Sequence, residues 1–141
     1  MPDRANRQRT GRVFEEMLLA ALRSGGYEVT SQVHIGSRLG GTRHIVDYVV
    51  KDTAARTILI SVKWQQVSGT AEQKVPFEAI CLADALANDP RYSAAFLVLG
   101  GPGWRLRDFY VSGGLEPWLN APGVAILTLE TFIGRANMRQ L

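Results

Sequence analysis

Cysteine is nearly absent from this sequence. The one thiol, Cys81, cannot close an internal disulfide, so a reducing, cytoplasmic setting is expected. Its neighbours Ala79, Ile80, Leu82 and Ala83 suit a small buried hydrophobe better than a nucleophile. Histidine is equally scarce. His34 and His44 have no cysteine to join them, which argues against a zinc site, and His44 is expected to be structural or to touch a DNA backbone. No apolar run is long enough to span a bilayer, so no membrane partner is expected, and the first residues are too basic and polar for a secretion signal. Repeats and low-complexity stretches are missing as well. The glycine-rich segment Gly36 to Thr42 lacks the Gly-Lys-Ser/Thr ending of a phosphate-binding loop.

What is present is a chain of 141 residues with 46% hydrophobic content, enough for one well-packed core. The net charge of +3 is small but unevenly spread. Arg4, Arg7, Arg9 and Arg12 crowd the first twelve residues against Asp3 alone. Residues 1–10 are therefore expected to form a basic flexible arm that gains affinity for a polyanion by counterion release, and residues 11–141 a single domain.

Hydrophobic spacing orders the elements. Arg12 to Ser24 reads as a helix, with Val13, Phe14, Met17, Leu18, Ala21 and Leu22 on helical spacing and Gly25-Gly26 ending it. Tyr27 to Ile35 reads as a strand, Gly36 to Thr42 as a turn, and His44 to Val50 as a second strand holding Asp47 among apolar residues. Lys51 to Arg56 makes a hairpin turn into Ile58 to Gln65. There Ile58, Ile60, Val62 and Trp64 take one face, and Ser61, Lys63 and Gln65 the other. A helix capped by Ser68 or Thr70 runs to about Ala87, with Pro76 tolerated near its first turn. Ala94 to Leu99 has the all-apolar look of a central strand. Gly100 to Trp104 is a sharp turn, residues 105–120 have no readable period, Val124 to Leu129 is a last strand, and Leu129 to Met138 a short helix. The whole is an α/β architecture, a mixed sheet flanked by helices.

A carboxylate in one apolar strand and a lysine in the next are both costly unless they meet a compensating charge. Together they suit a site that holds a divalent metal and handles a phosphate. The order of elements and these residues resemble the PD-(D/E)XK nuclease superfamily, the restriction-endonuclease-like fold with an αβββαβ core. Gly11-Arg-Val-Phe-Glu15 resembles the family's helix motif, Asp47 its aspartate and Lys63 its lysine, with Gln65 matching a frequent variant two residues on. One position departs: Ser61 stands where the family usually has Glu or Asp. Serine brings no charge to a hard cation. A Ser-x-Lys branch resembles this chain, with the missing carboxylate supplied from the next helix; Glu72 is preferred for that role, with Glu78 the other candidate.

The resemblance implies a metal-dependent DNA endonuclease using Mg²⁺, with Mn²⁺ as substitute. Asp47, Glu72 and Glu15 would hold metal, Lys63 would orient water and offset phosphate charge, and Gln65 would hydrogen-bond a water or phosphate. Arg43, Lys74 and Arg105, with Arg4, Arg7, Arg9 and Arg12, are candidate nucleic-acid contacts, and Arg38 and Trp104 weaker ones. A homodimer would cut both strands of DNA, whereas a monomer would nick. Small relatives of this kind occur in phages, restriction systems and junction resolution. The alternative is a catalytically weak DNA-binding or nuclease-subunit module in which Ser61 marks a lost carboxylate.

Overall fold

In a computed structural model, the backbone is described for residues 4–141 and the side chains for residues 11–141. Among the described residues nine elements follow one another: α1 (Arg4–Ser24), β1 (Glu28–Ser37), β2 (Arg43–Lys51), β3 (Thr57–Trp64), α2 (Ala71–Asn88), β4 (Tyr92–Gly100), α3 (Arg107–Val111), β5 (Val124–Thr128) and α4 (Leu129–Asn137). The strands form a single sheet whose spatial order matches the chain order, β1-β2-β3-β4-β5. The first two pairings are antiparallel and the last two parallel. Short turns serve the antiparallel pairs, and the parallel pairs need the crossovers through α2 and α3.

Two cores lie on the two faces of this sheet. Leu18 and Leu22 of α1 and Phe132 and Ala136 of α4 pack against Tyr48, Ile58, Ile60, Phe96 and Val98. Val75, Ala79 and Leu82 of α2, with Tyr110 of α3, cover Leu59, Ala95, Leu97 and Leu99 on the other. Because β3 and β4 are covered on both faces, their apolar runs are continuous rather than alternating. Among the described residues no helix is long and apolar enough to cross a membrane.

The expected elements are present, with differences at their ends. Helix α1 begins at Arg4 rather than Arg12, so the backbone of Arg4–Thr10, expected as an arm, is helical; the side chains of Arg4, Arg7 and Arg9 lie outside the described residues. Neither Ser68 nor Thr70 caps α2. Thr70 stands at the cap position with a helical backbone and no side-chain bond, and the Ala71 N–H donates instead to Gln65 Oε1 at 3.1 Å. Pro76 lies inside α2, beyond its first turn. A proline there cannot bond the carbonyl four residues back, and that carbonyl, Glu72 O, accepts from the Tyr110 hydroxyl at 2.7 Å. The unreadable stretch contains the five-residue α3, too short to show a period.

Candidate active site

The β2–β3 ladder pairs Lys51 to Tyr48 with Thr57 to Ile60 and then stops. Asp47 is the next residue on β2, and its side chain takes over where the backbone pairing ends: Oδ2 accepts the Val62 N–H at 2.7 Å. On the other flank Gln32 of β1 has a left-handed backbone (φ 52°) and brings its amide to 3.5 Å from Asp47 Oδ1. Asp47 is thus held at the fork between two strands. Burial pushes its carboxyl above the ordinary value, opposed by the Val62 N–H and by the charge of Lys63. The ionised form is short of compensation.

Lys63 sits near the C-terminal end of β3, paired with Leu99 of β4. The expectation of a fully buried ammonium is corrected here: Lys63 and Asp47 are both half-buried, because the ladder opens at this end. The charge of Lys63 acts on two carboxylates, Asp47 and Glu78, favouring the ionised form of each. Ser61 is buried in the middle of β3, 3% exposed.

The two candidate carboxylates of α2 have different surroundings. Glu72, the preferred one, is turned away from the Asp47 site: its Oε1 accepts the N–H groups of Arg105 and Leu106, the latter at 2.8 Å, at the entry to α3. Its partners are unpaired backbone donors that no helix ladder would satisfy. Glu78 is the carboxylate that shares the field of Lys63. It is 2% exposed, with Oε1 3.2 Å from His44 Nε2 and Oε2 ion-paired with Arg38 from the β1–β2 hairpin. Burial alone would raise its carboxyl, but the hydrogen bonds from His44 and Arg38, helped by the charges of Lys63 and Arg38, bring it down to about 2. His44, 1% exposed, is structural and out of reach of a DNA backbone. Arg38, expected as a phosphate contact, is committed to Glu78.

Glu15 is an exposed residue of α1 whose carboxylate turns back to the sheet, where its Oε1 accepts the Tyr48 hydroxyl. Burial and this partner push the Tyr48 phenol up. Glu15, Asp47 and Arg12 line one cavity of about 560 Å³, with Phe14, Tyr48 and Trp64 among its other walls. Gln65, expected to face water or phosphate, is a structural tie: 5% exposed, it donates to Gly103 O at 2.9 Å while accepting from Ala71. The turn after β4 rests directly on this segment. A Cβ on Gly103 would lie 2.6 Å from the Val67 backbone, and Gly101 (φ 96°) approaches the Gln65 carbonyl just as closely, so neither position accepts a side chain. Trp104 is tied into the same turn through Nε1–H to Gly100 O at 2.8 Å. Arg43, Lys74 and Arg105 are exposed.

Reading the sequence missed the Arg38–Glu78–His44 cluster and the Val62 N–H. A signal for the first was available: Glu78 falls on the buried face of α2 with Val75, Ala79 and Leu82, where a carboxylate needs a cationic partner. Nothing in the sequence announces a backbone N–H.

Among the described residues no three of His, Cys, Asp and Glu converge as a ready metal cluster. Asp47 and Glu15 on one cavity, with Asp47 undercompensated, still fit Mg²⁺, which is commonly held by one or two carboxylates and completes its shell with water and substrate phosphate. A family model described as a PD-(D/E)XK nuclease superfamily domain matches residues 6–139. No curated protein and no solved structure matches the chain.

Proposed function

The chain belongs to the PD-(D/E)XK nuclease superfamily, and from that premise we propose that it is a metal-dependent endonuclease that hydrolyses phosphodiester bonds in DNA, with Asp47 and Lys63 at its reacting centre. The observation that carries this reading is Asp47 itself: a carboxylate fixed by a backbone N–H at a strand fork, short of compensating charge, and in the field of Lys63.

Asp47 and Glu15 would hold the divalent cation. When bound, the cation offsets charge growing on the phosphate and makes a water more acidic. Lys63 carries three N–H donors on a flexible stem, suited to orienting a water or a phosphate oxygen and to offsetting negative charge. The Tyr48 hydroxyl and the Val62 N–H keep Glu15 and Asp47 in place before any substrate arrives. In this reading Ser61-Val62-Lys63 is a Ser-x-Lys form of the family strand. The charge missing at Ser61 is supplied by Glu15 beside Asp47, since Glu72 is taken by the turn at residues 105–106 and Glu78 by His44 and Arg38. Arg43, Lys74, Arg105 and the basic start of α1 supply phosphate contacts.

Cleavage of supercoiled plasmid with Mg²⁺ or Mn²⁺ tests the reading. Metal-dependent nicking that disappears in Lys63→Ala and Asp47→Ala and survives in Glu72→Gln is the expected result. Linear product at early times, with a dimer by size-exclusion chromatography, would add a paired-site mode; nicked circles alone fit a monomer. Salt-sensitive DNA binding with no cleavage under either metal would replace the enzyme with a DNA-binding module of the same fold.

A further inference from the structure

The cavity beside Asp47 has walls that phosphate chemistry does not call for. Phe14 of α1 and Trp64 of β3 line it as an aromatic pair, ring centroids 4.7 Å apart and planes at 35°. The Trp64 ring rests on the β4 backbone at Gly100, where a Cβ would come within 2.6 Å of it, so its position is set from behind. Both rings pack against the core but remain only partly buried. The Trp64 Nε1–H is buried without a partner among the described residues, an unsettled donor in a wall otherwise well packed.

Charge says what kind of group fits. Among the described residues, two carboxylates, Glu15 and Asp47, face this space with one guanidinium, Arg12, on an exposed rim position. A second phosphate pushed to the aromatic wall would meet both carboxylates, whereas a neutral heteroaromatic ring offers a stacking face to the rings and carries no charge for the acids to repel. The volume of about 560 Å³ has room for a nucleoside. In a continuous duplex the bases are stacked inside and the backbone faces the protein, so a base reaches such a cavity only from an unpaired position.

We propose that this cavity is a base-binding subsite that holds one unpaired nucleobase of a DNA strand against Phe14 and Trp64, next to the phosphate at Asp47. The proposal rests on the nuclease reading and adds the substrate class: DNA carrying an unpaired nucleotide, as in a bulge, flap or single strand, over fully paired duplex.

The test is binding without cleavage, in Ca²⁺ or with no divalent metal, by fluorescence anisotropy. The probes are one duplex fully paired, the same duplex with a single-nucleotide bulge, and the bulge made abasic. The wild type is expected to bind the bulge on the order of 10-fold more tightly than the paired and abasic forms, as for a single stacked base. Trp64→Phe keeps most of that preference, and Trp64→Leu, with its fold checked by circular dichroism, removes it. A 2-aminopurine placed in the bulge reads the wild type directly: its emission is quenched on binding if the base stacks on the aromatic wall. Equal affinity for all three probes with unchanged 2-aminopurine emission overturns the subsite, and plasmid nicking in the same preparation leaves the nuclease reading standing. No binding to any probe, with no nicking, removes that reading and the subsite with it.

Discussion

Asp47 and Glu78 are both carboxylates in the field of Lys63, and their surroundings push them in opposite directions. Asp47 stands at an open strand fork with one backbone N–H at 2.7 Å and a distant amide, and its carboxyl is raised by burial. Glu78 lies on the floor of the α2 core with His44 and Arg38 on its two oxygens, and its carboxyl falls to about 2 despite deeper burial. Depth therefore does not set the state of a carboxylate here; the supply of donors does. Asp47 is left with an ionised form short of donors. Glu78 has spent its charge on holding the β1–β2 hairpin to α2.

The two positions therefore respond to neutralisation in opposite ways. The largest effect is on activity: Asp47→Asn lowers metal-dependent nicking by at least about 10³-fold, the scale of losing a group that supports charge in the transition state, read from plasmid cleavage. Next, Glu78→Gln destabilises the protein by about 3 kcal/mol, because Arg38 and His44 are left facing an uncharged amide, and urea unfolding measures it. The same pair predicts a pH window. The folded carboxyl of Glu78, at about 2, lies below its ordinary value of 4.5. Its contribution is therefore complete above 4.5 and fades as pH falls towards 2, so the stability gap between wild type and Glu78→Gln narrows over that range in acid unfolding curves.

A smaller effect separates Glu72 from both. Glu72→Gln leaves nicking within about threefold and costs about 1 kcal/mol, since an amide oxygen still accepts from Leu106 but more weakly. The smallest change has the opposite sign. Without divalent metal, Asp47→Asn melts slightly above the wild type, because a carboxyl raised by folding subtracts stability at neutral pH. Saturating Ca²⁺ then raises the melting temperature of the wild type and not of the variant. A fall in stability for Asp47→Asn would erase the contrast.

Two residues of the candidate site were legible along the chain. Asp47 and Lys63 stood out as charged residues in apolar strands, and the structure brings them within each other's field. The pattern of β3 and the interior, doubly covered place of β4 followed from their composition. Other features left no local mark. The start of α1 at Arg4 was invisible because its first residues are polar and lack an apolar stripe. Gln65 read as a site residue because it shares a parity with Lys63, yet the Gly103 turn and the α2 start claim its amide. Tyr110 answers the carbonyl that Pro76 leaves open, across 38 residues of sequence.

The sequence by itself determined the kinds and order of the elements and which charged residues had to find partners, because side-chain period and the cost of burying charge are local properties. Only the tertiary structure decided which partner each one found. Glu72 and Glu78 are both buried residues of one helix, about 120° apart around its axis on the flanks of the buried arc. The turn at residues 105–106 takes the first, and Arg38 and His44 take the second. Hydrogen bonding is short-ranged in space and indifferent to distance along the chain, so that choice existed only once the hairpin and α3 had docked.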